Sequence, residues 1–254
     1  MRLRSKLINL APHNVRQWLR ARQRQYRLQR PRAGSLRFGD FRRVSPISRV
    51  FGLDRGLPID RYYIEQFLSG NRQDIRGHVL EMGDDYYTRK FGGYRVTSRE
   101  VLAFDRSNPA ATIVDDLTRA ESLPSNMFDC IICTQTLQMI FETEVALRHL
   151  YRILAPGGVL LATSHGISRI ARRENIDPWG EYWHFTSQAF HRLFDKTFPN
   201  AKIDIDVYGN VLAAIALLHG LAAEELSATE LNHSDLDFEV IIAARALKLP
   251  QQPI

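Results

Sequence analysis

Between residues 78 and 244 the chain alternates short apolar runs with amphipathic stretches, and the first four runs all stop at polar or acidic residues. Apolar runs over 78–82, 101–104, 112–114, 128–133 and 158–162 read as strands, followed by weaker ones over 202–207 and 238–244. Helical spacing runs over 58–68, 142–154, 187–197 and 211–225. Strands that are apolar throughout are buried on both faces, and their alternation with helices predicts a doubly wound, mostly parallel α/β sheet of seven strands. Ligands of such sheets bind outside the carboxyl ends of the strands, so the informative residues are those where strands stop.

Those stops form an ordered set. The first strand runs Val79-Leu80-Glu81-Met82 into Gly83, Asp84 and Asp85; the second ends at Asp105, the third at Asp115 and Asp116, the fourth at Thr134 and Gln135. A glycine permits a sharp turn, and an acid about 20 residues beyond the first strand suits a ribose. Each residue taken alone is equally a turn or helix cap.

Charge divides the chain. Residues 1–43 carry 13 Lys/Arg against the single acid Asp40, whereas the remainder carries 21 basic and 27 acidic side chains. This predicts a basic arm and linker over 1–43, a domain over 44–248 and a tail over 249–254. Within the arm, helical spacing over 14–29 places Val15, Trp18, Leu19 and Tyr26 among arginines. Such a segment suits a solvated or self-docked tail, an anionic membrane surface, or, less well, nucleic acid.

With 44% hydrophobic and 24% charged residues among 254, the chain has globular composition. Its longest apolar run, 211–218, falls short of the ~20 residues of a membrane span. No secretory pattern opens the sequence, which places the expected location in the cytoplasm, peripheral to the inner membrane face if the arm binds lipid. Cys130 and Cys133 share a C-x-x-C spacing, but on a strand they point to opposite faces, which argues for core rather than redox roles.

The series Val79-Leu80-Glu81-Met82-Gly83, Asp105, Asp116-Leu117 and Phe128 to Leu137, followed by Arg152-Ile153-Leu154-Ala155-Pro156-Gly157-Gly158, resembles class I S-adenosylmethionine-dependent methyltransferases over about residues 55–245. The stretches 51–65 and 179–186 (Trp179-Gly180-Glu181-Tyr182-Trp183-His184-Phe185-Thr186) look like bacterial methyltransferases that accompany glycosyltransferases. The resemblance implies a Rossmann-like methyltransferase fold and S-adenosylmethionine as cofactor. It places Glu81, Gly83 and Asp84 in the cofactor loop, Asp105 on the ribose, Asp116 beside the adenine and Gln135 at the reaction centre. It also implies a saccharide or glycan acceptor and a glycosyltransferase partner. The family's first loop reads glutamate-x-glycine-x-glycine-x-glycine, whereas this chain has Asp85 and Tyr87 at the second and third glycines.

A hydroxyl acceptor benefits from a general base, and His165, after the fifth strand, and His184 are the best placed, with Glu181 and Tyr182 next. Trp179, Tyr182, Trp183 and Phe185 offer flat apolar faces to a sugar, or form a packed lid. Asp204 and Asp206 alternate along a strand as solvent-facing residues do, and no His/Cys spacing suggests a metal. The reading is therefore a methyltransferase, with a non-catalytic binding or scaffold module of the same fold as the alternative favoured by Asp85 and Tyr87.

Overall fold

The computed structural model describes residues 12, 14, 15, 17, 18, 22, 31, 33–171 and 180–250. The chain divides into two units, 1–44 and 45–254. In the first, residues 14, 15, 17, 18 and 22 are helical, the Arg22 guanidinium lies 5.0 Å over the Trp18 ring, and Gly39–Phe41 makes one 3-10 turn. The rest of the helix predicted over 14–29 lies outside the described residues. No helix among the described residues is long and apolar enough to cross a membrane.

The second unit holds one sheet: β1 (Gly77–Met82), β2 (Val96–Ala103), β3 (Ile113–Val114), β4 (Phe128–Thr134), β5 (Leu154–His165), β6 (Ala201–Tyr208) and β7 (Ile241–Lys248). Their order is β3-β2-β1-β4-β5-β7-β6, parallel except for β7, which is antiparallel to both neighbours. The predicted mostly parallel, seven-stranded sheet is thus the observed one. Among the described residues five α-helices accompany it: α1 (Ile59–Gly70), α2 (Thr143–Ile153), α3 (Ser187–Thr197), α4 (Val211–His219) and α5 (Ala228–Asn232).

Period-two alternation divides the strands between two cores. Leu80, Ile131, Cys133, Leu160, Ala162, Ile242 and Ala244 pack with Leu147 and Leu150 of α2 and Phe190 and Phe194 of α3. The opposite face is covered by α1, which buries Ile59, Tyr63, Ile64, Phe67 and Leu68 at helical spacing. Cys130 and Cys133 are free and fully buried, and desolvation pushes the Cys133 thiol up to about 12. A thiol held neutral in this way is a core residue.

Four predicted elements differ from the observed ones by three residues or more, each for a local reason. β2 begins at Val96 because its first half is exposed and polar, which leaves no apolar signal. β5 starts at Leu154, four residues before the predicted strand, since the Pro156-Gly157-Gly158 turn is a bulge within its pairing to β4. The helix predicted over 211–225 stops at His219, because Gly220 turns left-handed at φ 68° and a Cβ there would sit 2.5 Å from the Ser48 carbonyl oxygen. The last strand is Ile241–Lys248 rather than 238–244, because Phe238 donates its N–H back to Asp235 in a turn before the pairing with β5 begins.

The Arg152 to Gly158 run owes its composition to packing. The Arg152 guanidinium donates to the Leu123 carbonyl at 2.7 Å, to the Ala120 carbonyl and to Ser125 Oγ, which fastens the segment before β4 to α2. At Gly158 a Cβ would lie 2.9 Å from the carbonyl oxygens of Ala155 and Phe128, so only glycine fits. The 51–65 stretch is likewise structural at its start. Ser48 Oγ donates to Asp54 at 2.5 Å and accepts the Val50 and Gly52 N–H groups, while Arg55 pairs with Glu225 and the Leu57 N–H with Glu224.

Candidate functional site

Four strands deliver the predicted residues to one edge. β1 and β2 run in register (Glu81 beside Val101, Met82 beside Leu102), so Gly83 and Asp105 leave adjacent strand ends. Gly83 adopts φ 84° and an added Cβ would meet nothing within 4 Å, so its backbone presents an open face. Asp105 is partly exposed, and its carboxylate is held below the usual range by hydrogen bonds from Ser107. An ionised acceptor beside an open glycine backbone fits the ribose and amino-acid ends of an adenosyl ligand. Asp84 is exposed and accepts the Tyr86 N–H at 2.9 Å in an Asx turn.

Glu81 is directed elsewhere. Its side chain is buried and accepts the Tyr87 N–H at 3.0 Å and the Thr88 N–H at 2.7 Å, closing the loop on itself. Burial pushes its carboxyl up to about 7 against the pull of those bonds. The loop departs from the glycine-rich pattern in a definite way: Tyr87 is buried and stacked on Phe91 at 6.2 Å, and Asp85 pairs with Arg89 at 2.8 Å and Arg99 at 3.0 Å. The chain then makes a π-helical turn over Thr88–Gly92 and enters β2. The two residues that replace glycines are thus consumed in fastening the connection from β1 to β2.

Asp116, expected beside an adenine, accepts both the N–H and the hydroxyl of Thr118 at 2.8 Å, and Asp115 accepts the Asp116 N–H. Gln135 follows β4 in the left-handed region, φ 50°, held by its N–H to the Thr163 carbonyl on β5. Its Oε1 accepts from Gln138 at 2.9 Å and faces His165 Nδ1 at 3.1 Å, while its Nε2 is buried without a hydrogen-bond partner.

The end of β5 carries the densest chemistry. His165 is buried, and its Nε2 forms an ion pair with Glu181 Oε1. Glu181 is also 3.5 Å from His184 Nε2, and its second oxygen accepts the Ala171 N–H. The rings of His165 and His184 meet edge to face, 4.7 Å between centroids. Burial alone would raise the Glu181 carboxyl, but hydrogen bonds from His165 and Ala171 and the charge of both histidines bring it below the usual range. Burial raises the carboxyl of Asp60 at the head of α1, against the opposing pull of Arg61 and, more weakly, of His165. Asp60 and Gln138 carried no sequence signal, since each joins the site only through packing. Gln138 accepts from Ser164 and, through its carbonyl, from the Tyr182 and Trp183 N–H groups, which hangs the aromatic segment over the site.

That segment presents Tyr182 and Trp183, both exposed, beside exposed Phe141. Trp183 stacks on Phe141 at 5.6 Å and donates its indole N–H to the Ile140 carbonyl; Tyr182 meets Phe141 edge-on at 5.4 Å. Phe185, grouped with them by sequence, is instead buried against Phe190. Trp179 lies outside the described residues. Asp204 reaches Arg245 and Lys202 on the solvent side of β6, as its alternation predicted.

Residues 87–162 match the family described as methyltransferase domain. The match opens at Tyr87, beyond the turn that holds Glu81 and Gly83. No curated protein matches the chain in sequence. Among solved structures, an S-adenosylmethionine-dependent methyltransferase from Mesorhizobium loti is 14% identical with a TM-score of 0.50, over 78% of this chain and 100% of that one. A second, from Archaeoglobus fulgidus, is 13% identical with a TM-score of 0.50, over 74% and 94%. The sheet order and the match over residues 87–162 agree on the fold of class I S-adenosylmethionine-dependent methyltransferases.

Proposed function

We propose that the chain methylates a hydroxyl group of a sugar or glycan-linked acceptor. The observation that carries this reading is the His165–Glu181–His184 cluster, which sits where β4 and β5 end and is bordered by exposed Tyr182, Trp183 and Phe141. Asp105 and the open backbone at Gly83 would hold the cofactor, which when bound supplies an electrophilic methyl group on a sulfonium. Displacement at that carbon needs an aligned acceptor and little covalent help from the protein, so positioning dominates. The aromatic faces would set the acceptor, and the unpartnered Gln135 Nε2 offers it a donor. His184, half exposed, would take the hydroxyl proton, with ionised Glu181 stabilising the resulting charge and His165 completing the relay.

Calorimetric titration with S-adenosylmethionine and S-adenosylhomocysteine tests the first half. Binding in the micromolar range, about −8 kcal/mol, supports the enzyme and justifies a screen of saccharide acceptors. No binding at millimolar ligand by folded protein supports the alternative, a non-catalytic module of the same fold. That alternative rests on Tyr87 and Asp85 occupying the glycine positions with a buried ring and two ion pairs.

Two partner proposals accompany it. The basic arm over 1–43 would hold the protein on an anionic membrane surface, in preference to nucleic acid, at the inner face of the cytoplasmic membrane. Deleting it should abolish sedimentation with anionic vesicles while methyl transfer to a soluble acceptor persists. A glycosyltransferase partner follows from the resemblance at 51–65 and 179–186, and co-purification of the two enzymes from the native cell tests it.

A further inference from the structure

The polar atoms at the end of β5 are arranged in a pattern that proton transfer alone does not use. His165, Glu181 and His184 each bring one possible ligand atom within 4.8 Å of the others, and both Nε2 atoms face Glu181 Oε1. The opposite atom of each group is already held: His165 Nδ1 by Gln135 Oε1, His184 Nδ1 by the Gly166 carbonyl at 3.1 Å, and Glu181 Oε2 by the Ala171 N–H. A carbonyl oxygen only accepts, so His184 Nδ1 carries hydrogen, and the same holds for His165 Nδ1 against an amide oxygen. Each Nε2 therefore offers a lone pair whenever its ring is neutral, and both face one carboxylate oxygen. His165 Nε2 and Glu181 Oε1 are buried and meet each other, with no further hydrogen-bond partner. Two imidazole nitrogens that converge on one carboxylate oxygen call for a positive charge between them, supplied by a proton or by a metal ion.

We propose that His165, Glu181 and His184 form a binding site for one divalent transition-metal ion, Zn²⁺ in the first place. A proton on His165 satisfies that pair and leaves His184 unused, whereas a metal ion uses all three atoms. Two imidazoles and one carboxylate, with a fourth position open, make up a ligand set typical of catalytic zinc, and they disfavour Ca²⁺ and Mg²⁺, which take oxygen. The 3.5 Å from Glu181 Oε1 to His184 Nε2 is near the ligand-to-ligand edge of roughly 3.3 Å that tetrahedral bonds of 2.0–2.1 Å require. Entry of the ion would part the His165–Glu181 contact and displace its proton. Anchoring of each ligand's far atom by a protein acceptor or donor is the outer-shell arrangement that orients metal ligands. His184, 35% exposed at its side chain, supplies the way in.

The location of the ion rests on these contacts; only its consequence rests on the proposed reaction. At the acceptor's position an ion would lower the pKa of a bound hydroxyl, taking over the ionising role from the histidines it occupies.

The test uses the full chain, free of any histidine tag and stripped with chelator. Titration with Zn²⁺ against a chromophoric chelator should give one ion per chain with micromolar or tighter affinity, weakened at least about tenfold by His184→Ala and by Glu181→Gln. Co²⁺ loading should give the visible bands of a four- or five-coordinate N₂O site, absent in His184→Ala. Because Glu181 is buried, the partly exposed His184 supplies the variant that keeps the fold, checked by its circular dichroism. Substoichiometric binding, equal affinity in His184→Ala, or an octahedral Co²⁺ spectrum overturns the site. S-Adenosylmethionine titration of the same samples separates the two proposals: ion binding without cofactor binding overturns the methyltransferase reading alone, and the reverse overturns the metal site alone.

Discussion

The Glu81 carboxyl couples the stability of the domain to pH. Its side chain is 1% exposed, and burial pushes it up to about 7 from 4.5 even though two backbone N–H groups bond its ionised form. Between those two values the folded state binds the proton and the unfolded chain has lost it. Stability from this group is therefore complete below about pH 4.5 and is lost as pH rises to about 7, a fall of about 3 kcal/mol. Glu81→Gln removes the titration but keeps the shape, and leaves one of the two N–H groups without its acceptor at a cost of about 1–3 kcal/mol. Urea unfolding of both proteins at intervals from pH 4 to 8 isolates the effect, because other groups titrate in both. The variant should be clearly less stable at pH 4, and the gap should close by about 3 kcal/mol, or reverse, by pH 8. A gap that stays constant across the window would refute the reasoning, and would mean that the two N–H bonds compensate fully for burial.

Asp105→Ala should weaken binding of S-adenosylhomocysteine by about tenfold or more while leaving the urea midpoint unchanged, as calorimetry and unfolding together would show; loss of both would reduce Asp105 to a turn cap. Arg152→Ala should destabilise the domain by about 2 kcal/mol, because two carbonyls and a hydroxyl lose their donor, measured by urea unfolding. Gly158→Ala should cost about 2 kcal/mol, since the methyl meets two carbonyl oxygens at 2.9 Å; a neutral result would mean that the bulge in β5 relaxes freely.

The sheet was legible because its central strands are apolar on both faces, a signal that β1, β4 and β5 carry strongly. β2 carried it only in its second half, where Val101 and Leu102 enter the core, and its exposed first half, Val96 to Arg99, was silent. The strand-end set Gly83, Asp105 and Gln135 could be placed because parallel strands all deliver their carboxyl ends to one edge. What sequence could not supply was the direction of each side chain. Glu81 and Asp105 look alike as acids near strand ends, yet one turns inward to bind its own loop and the other stays at the surface. His165 and His184 stood out singly, but their convergence on Glu181 joins a strand end to a segment 16 to 19 residues later. No fixed spacing of metal ligands records such a contact, and for that reason the sequence suggested no metal.

The insertion of β7 between β5 and β6 reaches beyond the resting structure, to synthesis. β5 pairs with β7 from Val159 to His165, and this partner, Ile241–Lys248, comes after β6 in the chain. Until that strand emerges, the nascent sheet has an open, apolar edge on β5, and β6 has no neighbour on which to pair. Pairing of this half must therefore wait until β7 has been made, and until then the growing chain depends on a holding factor, or on speed, to avoid edge-to-edge association. A stop before Ile241 would free both edges at once, so a chain that lacks β7 should go to aggregates or proteases rather than persist as a weakened fold.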